Sequence, residues 1–330
     1  MRSTWTNHLL PLVSTHGPTP VPNPVSASRA TTPQAMLRLL AVALACSAAG
    51  LAPAAESAVN AAVALRANYE VLQKRPGNNP FQRPLYLESA ETAGGVTGSI
   101  HALVNHPFTT MGTTLNGPTR WCDILMLHLN TKYCRAATDG SGSTLRVYIG
   151  KKHDQPLDDA YPVDFAWRVA AASPDYLKVM LSADEGPLST RDYRIMLEAV
   201  PLDGHRTLLH LTYSYAYGFA GKLAMQAYLG TIASDKLGFT VEGRQPDGRL
   251  IYVGGMRGLV ERNTMRYYLA IESYLGALSM PPQAQLEKSL HDWFAAIERH
   301  PRQLHELEQD EYLAMKRKEY LRARGEVRTP

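Results

Sequence analysis

The fold is decided by the segment from Asp192 to Phe239, which reads DYRIMLEAVPLDGHRTLLHLTYSYAYGFAGKLAMQAYLGTIASDKLGF. Residues 193–200 are predicted to form one strand, residues 207–217 a second strand, and residues 219–236 a helix. A period of two is typical of a half-buried antiparallel strand. The second strand has this period, because its large side chains share one face: Leu209, Leu211, Tyr213, Tyr215 and Tyr217. This aromatic-rich face must be covered by another element, and the helix that follows is the nearest candidate.

Alternating patterns upstream extend this pair of strands into a larger sheet. Three segments, at 145–149, 165–169 and 177–181, each carry three large apolar side chains on one face. A strand at 96–105 leads into a short helix that begins near Pro107, since proline is favoured at the first helical position. The order of strand, helix, antiparallel strands and long helix predicts an α+β fold with its helices on one face of the sheet.

This order resembles the START-like helix-grip fold, also described as the SRPBCC superfamily, over residues 98–239. The similar features are the entry from Ile100–Val104 into Pro107-Phe108, the Trp121 that follows, and the strand run that closes with Leu209–Tyr217 and its helix. The resemblance implies a curved antiparallel sheet that grips a long helix and encloses an apolar cavity between them. A pair of cysteines and about ninety residues beyond the predicted helix depart from this pattern.

The chain is predicted to have five parts. Residues 1–35, rich in Pro, Thr and Ser, are interpreted as a mis-assigned upstream segment, and residues 36–54 as a signal peptide. Residues 55–95 are expected to form an N-terminal helix and loop, and residues 96–240 the START-like domain. Residues 241–330 are expected to form a mainly α-helical C-terminal extension that packs on the sheet.

The signal peptide is predicted from a basic start at Met36-Leu37-Arg38, an apolar run over 39–45 and the end Ala52-Pro53-Ala54. The apolar run is too short to span a bilayer, so no transmembrane helix is expected in the mature chain. We expect an exported protein, periplasmic or secreted, that begins near Ala55. One alternative is a lipoprotein anchored through Cys46, and another is a buried N-terminal helix.

Removal of the signal peptide leaves two cysteines, Cys122 and Cys134. Two cysteines in an exported chain are candidates for one disulfide. A bridge across so short a loop is expected to add about 3 kcal/mol of stability. The alternative is two buried free thiols.

The candidate ligand-binding residues are large side chains expected to face the helix-grip cavity. Phenol groups two residues apart can line a cavity and orient an apolar ligand that has a polar end. Alternatively, tyrosines fill a packed core as good strand residues. The candidates are Leu209, Leu211, Tyr213, Tyr215, Tyr217 and Trp167.

Motifs for catalysis, metal binding and nucleic-acid binding are lacking in the sequence. The histidines do not have the spacing of zinc sites and are interpreted as surface or strand residues. No Gly-x-Ser-x-Gly nucleophile motif occurs. The formal net charge is +4, but the first 54 residues hold three arginines and no acid, so the remainder is nearly neutral. This nearly neutral charge excludes a basic surface of the kind that binds nucleic acid. Because the motifs named above are lacking, we expect no catalytic residue, cofactor or metal.

Two charged clusters have a structural and a functional interpretation. In the cluster Glu261-Arg262-Asn263 with Arg266, Glu261 and Arg262 are expected to cap a helix and pair with neighbouring strands. The alternative is that the guanidinium groups hold a carboxylate or phosphate headgroup at a cavity mouth. The terminal helix has acids first and Lys316-Arg317-Lys318 last, which suits the helix dipole. This order favours a solvated helix over a membrane patch.

The sequence as a whole predicts an exported protein that binds a hydrophobic small molecule or lipid without catalysing a reaction. An enzyme of cyclase or hydrolase type that uses the same cavity is one alternative. A structural or partner-binding protein with a filled core is the other.

Overall fold

The computed structural model describes residues 52–74, 80–231 and 236–325. The upstream segment, most of the predicted signal peptide and Cys46 lie outside the described residues. Within the described part of the chain, every helix is too short or too polar to cross a membrane.

The centre of the fold is an eight-stranded antiparallel sheet in the order β1-β2-β8-β7-β6-β5-β4-β3. The predicted strand pair becomes β7 and β8, and Leu211 of β8 is paired with Ile100 on one side and Leu197 on the other. The strands are β1 (Leu85–Thr92), β2 (Gly95–Val104), β3 (Thr131–Asp139), β4 (Gly142–Ile149), β5 (Tyr161–Ser173), β6 (Tyr176–Glu185), β7 (Thr190–Pro201) and β8 (Thr207–Tyr217).

Helices surround this sheet, and a small hairpin follows it. The short helix predicted after Pro107 begins at Phe108, and the next helix has Pro118 in its first turn, where the missing N–H costs nothing. The elements are α1 (Ala52–Gln73), α2 (Phe108–Leu115), α3 (Pro118–Leu125), α4 (Phe219–Thr231), β9 (Val241–Arg244), β10 (Leu250–Tyr252), α5 (Gly255–Ala277), α6 (Pro282–Ile297), α7 (Pro301–Leu304) and α8 (Gln309–Ala323).

The helix that the sheet grips is α5. It packs against β1, β2 and β8, and it is buried on nearly every side. The prediction that residues 219–236 cover the sheet is wrong, because α4 leaves large apolar side chains in solvent. Phe219 is 87% exposed and Leu223 is 59% exposed.

A buried carboxylate on α5 is satisfied by hydrogen bonds, as a charge in a protein interior must be. Glu261 accepts bonds from the Ser89 hydroxyl at 2.6 Å, the Phe239 amide at 2.6 Å, the Thr240 amide at 2.9 Å and the Thr240 hydroxyl at 2.6 Å. These bonds join α5 to β1 and to the segment after α4. Glu261 therefore joins elements of the fold, but it does not cap the helix as predicted, because α5 begins at Gly255 with Gly254 as its N-cap.

Helices lie on both faces of the sheet, and the prediction that they share one face is wrong. Helix α1 packs on the opposite face through Leu65 and Tyr69, against Leu208 of β8 and Val200 of β7. Both faces of this sheet carry apolar side chains, and each face is buried under a different helix: α5 on one face and α1 on the other.

A close approach between strand β2 and helix α5 requires Gly98. A Cβ atom added at Gly98 would overlap the Thr264 hydroxyl and lie 3.2 Å from the Thr264 Cβ and 3.3 Å from the Val260 carbonyl oxygen. Because Gly98 has no Cβ atom, helix α5 can pack this close to strand β2.

We expect Gly98→Ala to lower the free energy of unfolding by about 1–3 kcal/mol, because overpacking forces the helix away from the strand. The change in the urea midpoint measures this effect. Gly94→Ala is the control, since a Cβ at Gly94 meets nothing within 4 Å. Equal midpoint shifts for the two variants would contradict the steric account.

Cys122 and Cys134 form a disulfide that joins α3 to β3, with their Cα atoms 5.2 Å apart. The sequence predicted this pairing. The bridge closes a loop of 12 residues beside the buried Trp121.

The C-terminal helix α8 is tied to β3 by a buried group of three charges, which we call the lysine–glutamate triad: Lys132, Lys316 and Glu319. The Glu319 carboxylate lies 3.0 Å from the Lys132 Nζ and 2.8 Å from the Lys316 Nζ, and all three side chains are at most 1% exposed. Lys316 also donates to the carbonyl oxygens of His128 and Thr131 at 2.6 and 2.8 Å. The prediction of a solvated helix is therefore wrong for this face of α8.

Candidate functional site

A cavity of about 720 Å³ lies where α5 crosses the end of β8. Strand β8 contributes two tyrosines, α5 contributes a third, and the first residues after β4 and the residues before α8 form another wall. Its apolar walls are formed by Ile149, Leu188, Met225, Leu259 and Leu307.

Four tyrosines form a continuous aromatic wall of this cavity. The rings of Tyr193 and Tyr215 are stacked with their centroids 5.3 Å apart. The ring of Tyr213 meets that of Tyr267 edge to face at 5.2 Å. Aromatic rings in these arrangements attract each other beyond their area of contact, so the four rings stabilise one another.

Two of the six predicted ligand-binding residues, Tyr213 and Tyr215, line this cavity. Leu209 and Leu211 are fully buried in the packed core of the sheet, and Trp167 is 9% exposed in the same core. These three side chains do not line the cavity. Tyr217, which also lies outside the lining, donates its hydroxyl to Glu91 at 3.1 Å.

The hydroxyl groups of the stacked tyrosines have different surroundings. The Tyr193 hydroxyl lies 2.6 Å from the Thr190 hydroxyl, and burial raises the pKa of Tyr193 to about 12. The Tyr215 hydroxyl is also buried, and it has no hydrogen-bond partner among the described residues. An unsatisfied buried hydroxyl costs about 1–3 kcal/mol. Tyr215 therefore lines the cavity and also carries a buried hydroxyl that the described residues leave unsatisfied.

The opposite wall of the cavity is charged. Lys152 and Glu306 both line it, with the Lys152 Nζ 2.5 Å from a Glu306 carboxylate oxygen. The same carboxylate lies 2.7 Å from the Arg266 guanidinium and 3.7 Å from the Lys236 Nζ. One anion therefore faces three cations, and we call these four residues the Glu306 cluster.

The electrostatics of this cluster follow from burial and from the charges of the neighbouring side chains. Burial, and then the charge of Arg266, lower the pKa of Lys152 to about 8. Burial would raise the pKa of Glu306, but Arg266 and Lys152 outweigh it and hold that pKa below its usual value. Glu306 is therefore ionised at neutral pH, while Lys152 loses its proton more easily than an exposed lysine does.

His128 adds a polar group to the same wall and is only 2% exposed. Burial, and then the charges of Arg266 and Lys316, hold its pKa well below the usual value, so the ring is neutral. Its Nδ1 accepts the Asn130 amide at 3.1 Å, so the proton is on Nε2. Nε2 is buried and has no partner among the described residues.

Sequence reasoning missed this charged wall. His128 was interpreted as a surface or strand residue, and that interpretation is wrong. Lys152 lies after β4 and Glu306 lies before α8, and neither stands in a motif. No pattern in the sequence joins residues 128, 152 and 306, because the fold alone brings them together.

Comparisons with known proteins find structures of similar architecture. No protein-family model and no curated protein match the chain. Truncated norcoclaurine synthase from Thalictrum flavum is 15% identical, with a TM-score of 0.30 over 44% of this chain and 92% of that one. The Zhui aromatase/cyclase from Streptomyces sp. R1128 is 10% identical, with a TM-score of 0.28 over 45% of this chain and 88% of that one.

A conserved protein from Geobacillus kaustophilus is also similar. It is 17% identical, with a TM-score of 0.27, and the match covers 43% of this chain and 85% of that one. Identities at this level concern the fold alone. The eight-stranded antiparallel sheet gripping the long helix α5, with further helices after it, gives this chain a START-like helix-grip fold.

Proposed function

We propose that this protein binds a hydrophobic small molecule or lipid in the cavity between β8 and α5. The observation that carries the proposal is a cavity of about 720 Å³ with the unpartnered Tyr215 hydroxyl in its wall. Ligand sites are commonly about 300–1,000 Å³, mostly apolar, with a few polar groups that orient the ligand. This cavity has that size and that kind of lining.

We also propose that the protein acts after export. The disulfide between Cys122 and Cys134 supports this, because disulfides persist in oxidising compartments. The signal-peptide pattern at residues 36–54 agrees with it.

An enzyme that uses the same cavity is the second candidate. Lys152 and Glu306 are two titratable groups within hydrogen-bonding distance in the cavity wall, and burial lowers the pKa of Lys152 to about 8. Pairs of titratable groups with shifted pKa values act as general acids and bases in many enzymes. Native mass spectrometry combined with chromatography of the released molecule separates the two candidates, because a binding protein releases its ligand unchanged, whereas a hydrolase changes its mass and a cyclase changes its mass or its retention time.

Tyr215→Phe tests the binding site directly. We expect the free energy of unfolding to stay the same or to rise by up to about 1–3 kcal/mol, since the lost hydroxyl is buried and has no partner among the described residues. Retention of a co-purified ligand, measured by native mass spectrometry, should fall. The matched control is Tyr193→Phe, which removes a hydroxyl bonded to Thr190 and should cost about 1 kcal/mol of stability.

The opposite pattern would contradict the proposal. If Tyr215→Phe destabilises the fold as much as Tyr193→Phe does, and no bound molecule is detected in the parent protein, the cavity has a structural role. The protein is then better described as a structural or partner-binding one.

A further inference from the structure

The face of the sheet that α1 covers, opposite the cavity, carries a hydrogen-bonded chain of a serine, a histidine and a carboxylate. The Ser99 hydroxyl of β2 lies 2.9 Å from Nε2 of His210 in β8. Nδ1 of the same ring lies 3.0 Å from the Glu198 carboxylate of β7. The three residues come from adjacent strands inside the sheet, so the strand pairing fixes their spacing. We call them the Ser99 triad.

The protonation of the triad follows from the state of Glu198. Burial would raise the pKa of Glu198, but hydrogen bonds from His210 and Tyr176 outweigh it and lower that pKa to about 2. An ionised carboxylate only accepts hydrogen bonds, so Nδ1 of His210 carries the ring proton. In the neutral ring Nε2 is then an acceptor, and it faces the Ser99 hydroxyl. A histidine that acts as general base toward a serine has this arrangement.

The ring of His210 is held in place and is still open to solvent. The ring of His101 stacks on it with the centroids 4.0 Å apart and the planes 9° from parallel. The side chain of His210 is nevertheless 16% exposed, and Ser99 is half-buried. A small molecule can therefore approach the serine from solvent.

We propose that Ser99 is a nucleophile for acyl transfer from small, activated esters, with His210 as its general base and Glu198 as the positioning residue. The Ser99 oxygen forms a bond to the carbonyl carbon of the ester while its proton moves to Nε2 of His210. The bond from that carbon to the alcohol oxygen breaks, and His210 returns the proton to the leaving alcohol. Water then cleaves the acyl-serine by the same route and releases the carboxylic acid.

The position of the triad inside a sheet limits the rate of this reaction. The backbone amides of β2 and β8 bond to neighbouring strands on both sides, so they cannot donate to the oxyanion of a tetrahedral intermediate. The Thr212 hydroxyl is the side-chain donor at the site: it lies 3.2 Å from Nε2 of His210, and Thr212 is paired with Ser99. With one hydroxyl in this role, we expect Ser99 to be acylated and turned over slowly. The test therefore measures labelling of the serine.

The test is labelling of the full chain with diisopropyl fluorophosphate at neutral pH. The Ser99 oxygen would bond to phosphorus, fluoride would leave, and the serine proton would pass to His210. We expect one added diisopropylphosphoryl group by intact mass, placed on Ser99 by peptide mapping. Ser99→Ala should abolish this label. Ser214→Ala is the matched control and should label like the parent, because Ser214 lies four positions from His210 along β8.

The role of His210 is read from the labelling rate. General-base catalysis contributes about 10²–10⁴-fold, so His210→Ala should be labelled about a hundredfold more slowly or worse. Free imidazole in solution should restore part of the rate, which loss of structure alone would not allow. If His210→Ala does not fold, His210→Gln takes its place, because it also removes the base and keeps a side chain that can hydrogen-bond to Glu198.

The role of Glu198 is read from the position of the ring proton. Nitrogen-15 NMR of His210 should find the proton on Nδ1 in the parent protein. Glu198→Gln should place part of the population on Nε2 and slow the labelling of Ser99. Slower labelling with an unchanged tautomer would overturn the positioning role of Glu198.

The proposal does not depend on the cavity or its ligand, because the triad lies on the other face of the sheet. A parent protein that takes no label, or takes it only at other residues, would overturn the proposal. Equal labelling rates for the parent and the His210 variants would also overturn it. Each of these results leaves the proposed binding function in place.

Discussion

Replacing Glu319 with Gln is expected to lower the free energy of unfolding by about 3–5 kcal/mol, because it leaves two buried ammonium groups without their anion. Glu319 is the carboxylate of the lysine–glutamate triad, within 3.0 Å of both Lys132 and Lys316. Chemical denaturation followed by tryptophan fluorescence measures the loss. Glu311→Gln, an identical change at an exposed position of the same helix, is expected to stay within about 0.5 kcal/mol.

The pH dependence identifies the cause of the loss. Burial lowers the pKa of Lys316 from 10.5 to about 8. Between these values the unfolded chain binds more protons than the folded chain, so stability rises with pH. Without Glu319 the lysines lose their protons more easily, and raising the pH should recover part of the lost stability. A loss that is unaffected by pH would point to packing instead of charge.

Replacing both Cys122 and Cys134 with Ala is expected to lower the free energy of unfolding by about 3 kcal/mol, chiefly because the unfolded chain gains conformational freedom. The disulfide closes a loop of 12 residues between α3 and β3. Reduction of the parent protein with dithiothreitol should produce a similar loss, and the double variant should not respond to dithiothreitol. Finding that Cys122 and Cys134 react as thiols in denatured, unreduced protein would refute the bridge.

The sheet could be predicted from the sequence because its signal is local. The alternation over residues 207–217 specified which side chains of β8 are buried: Leu211, Tyr213 and Tyr215 are at most 6% exposed. His210, on the other face, hydrogen-bonds to Glu198 and Ser99. The two cysteines left after the predicted cleavage likewise specified the disulfide.

The gripped helix could not be predicted because its sequence looks like that of a surface helix. Glu261, Arg262 and Arg266 of helix α5 are buried. A charged side chain in a sequence normally indicates a position exposed to solvent. Partners from elsewhere in the chain make this burial possible: Glu261 takes four hydrogen bonds and Arg266 pairs with Glu306. No local pattern reports such partners. The two tyrosines that β8 contributes to the aromatic wall, Tyr213 and Tyr215, were therefore predicted from the sequence. The residues of the charged wall were not predicted.

The position of α5 along the chain has a consequence for folding kinetics. Strand β8 ends at Tyr217, but the helix that fills the sheet begins at Gly255, and α8 reaches back to β3 across 187 residues. Contacts between such distant segments give a high contact order, which slows folding. When the chain is delivered from its N-terminus, the tyrosine face of β8 stays open to other apolar surfaces until α5 arrives. Chaperones that shield such surfaces should therefore raise the yield of folded protein.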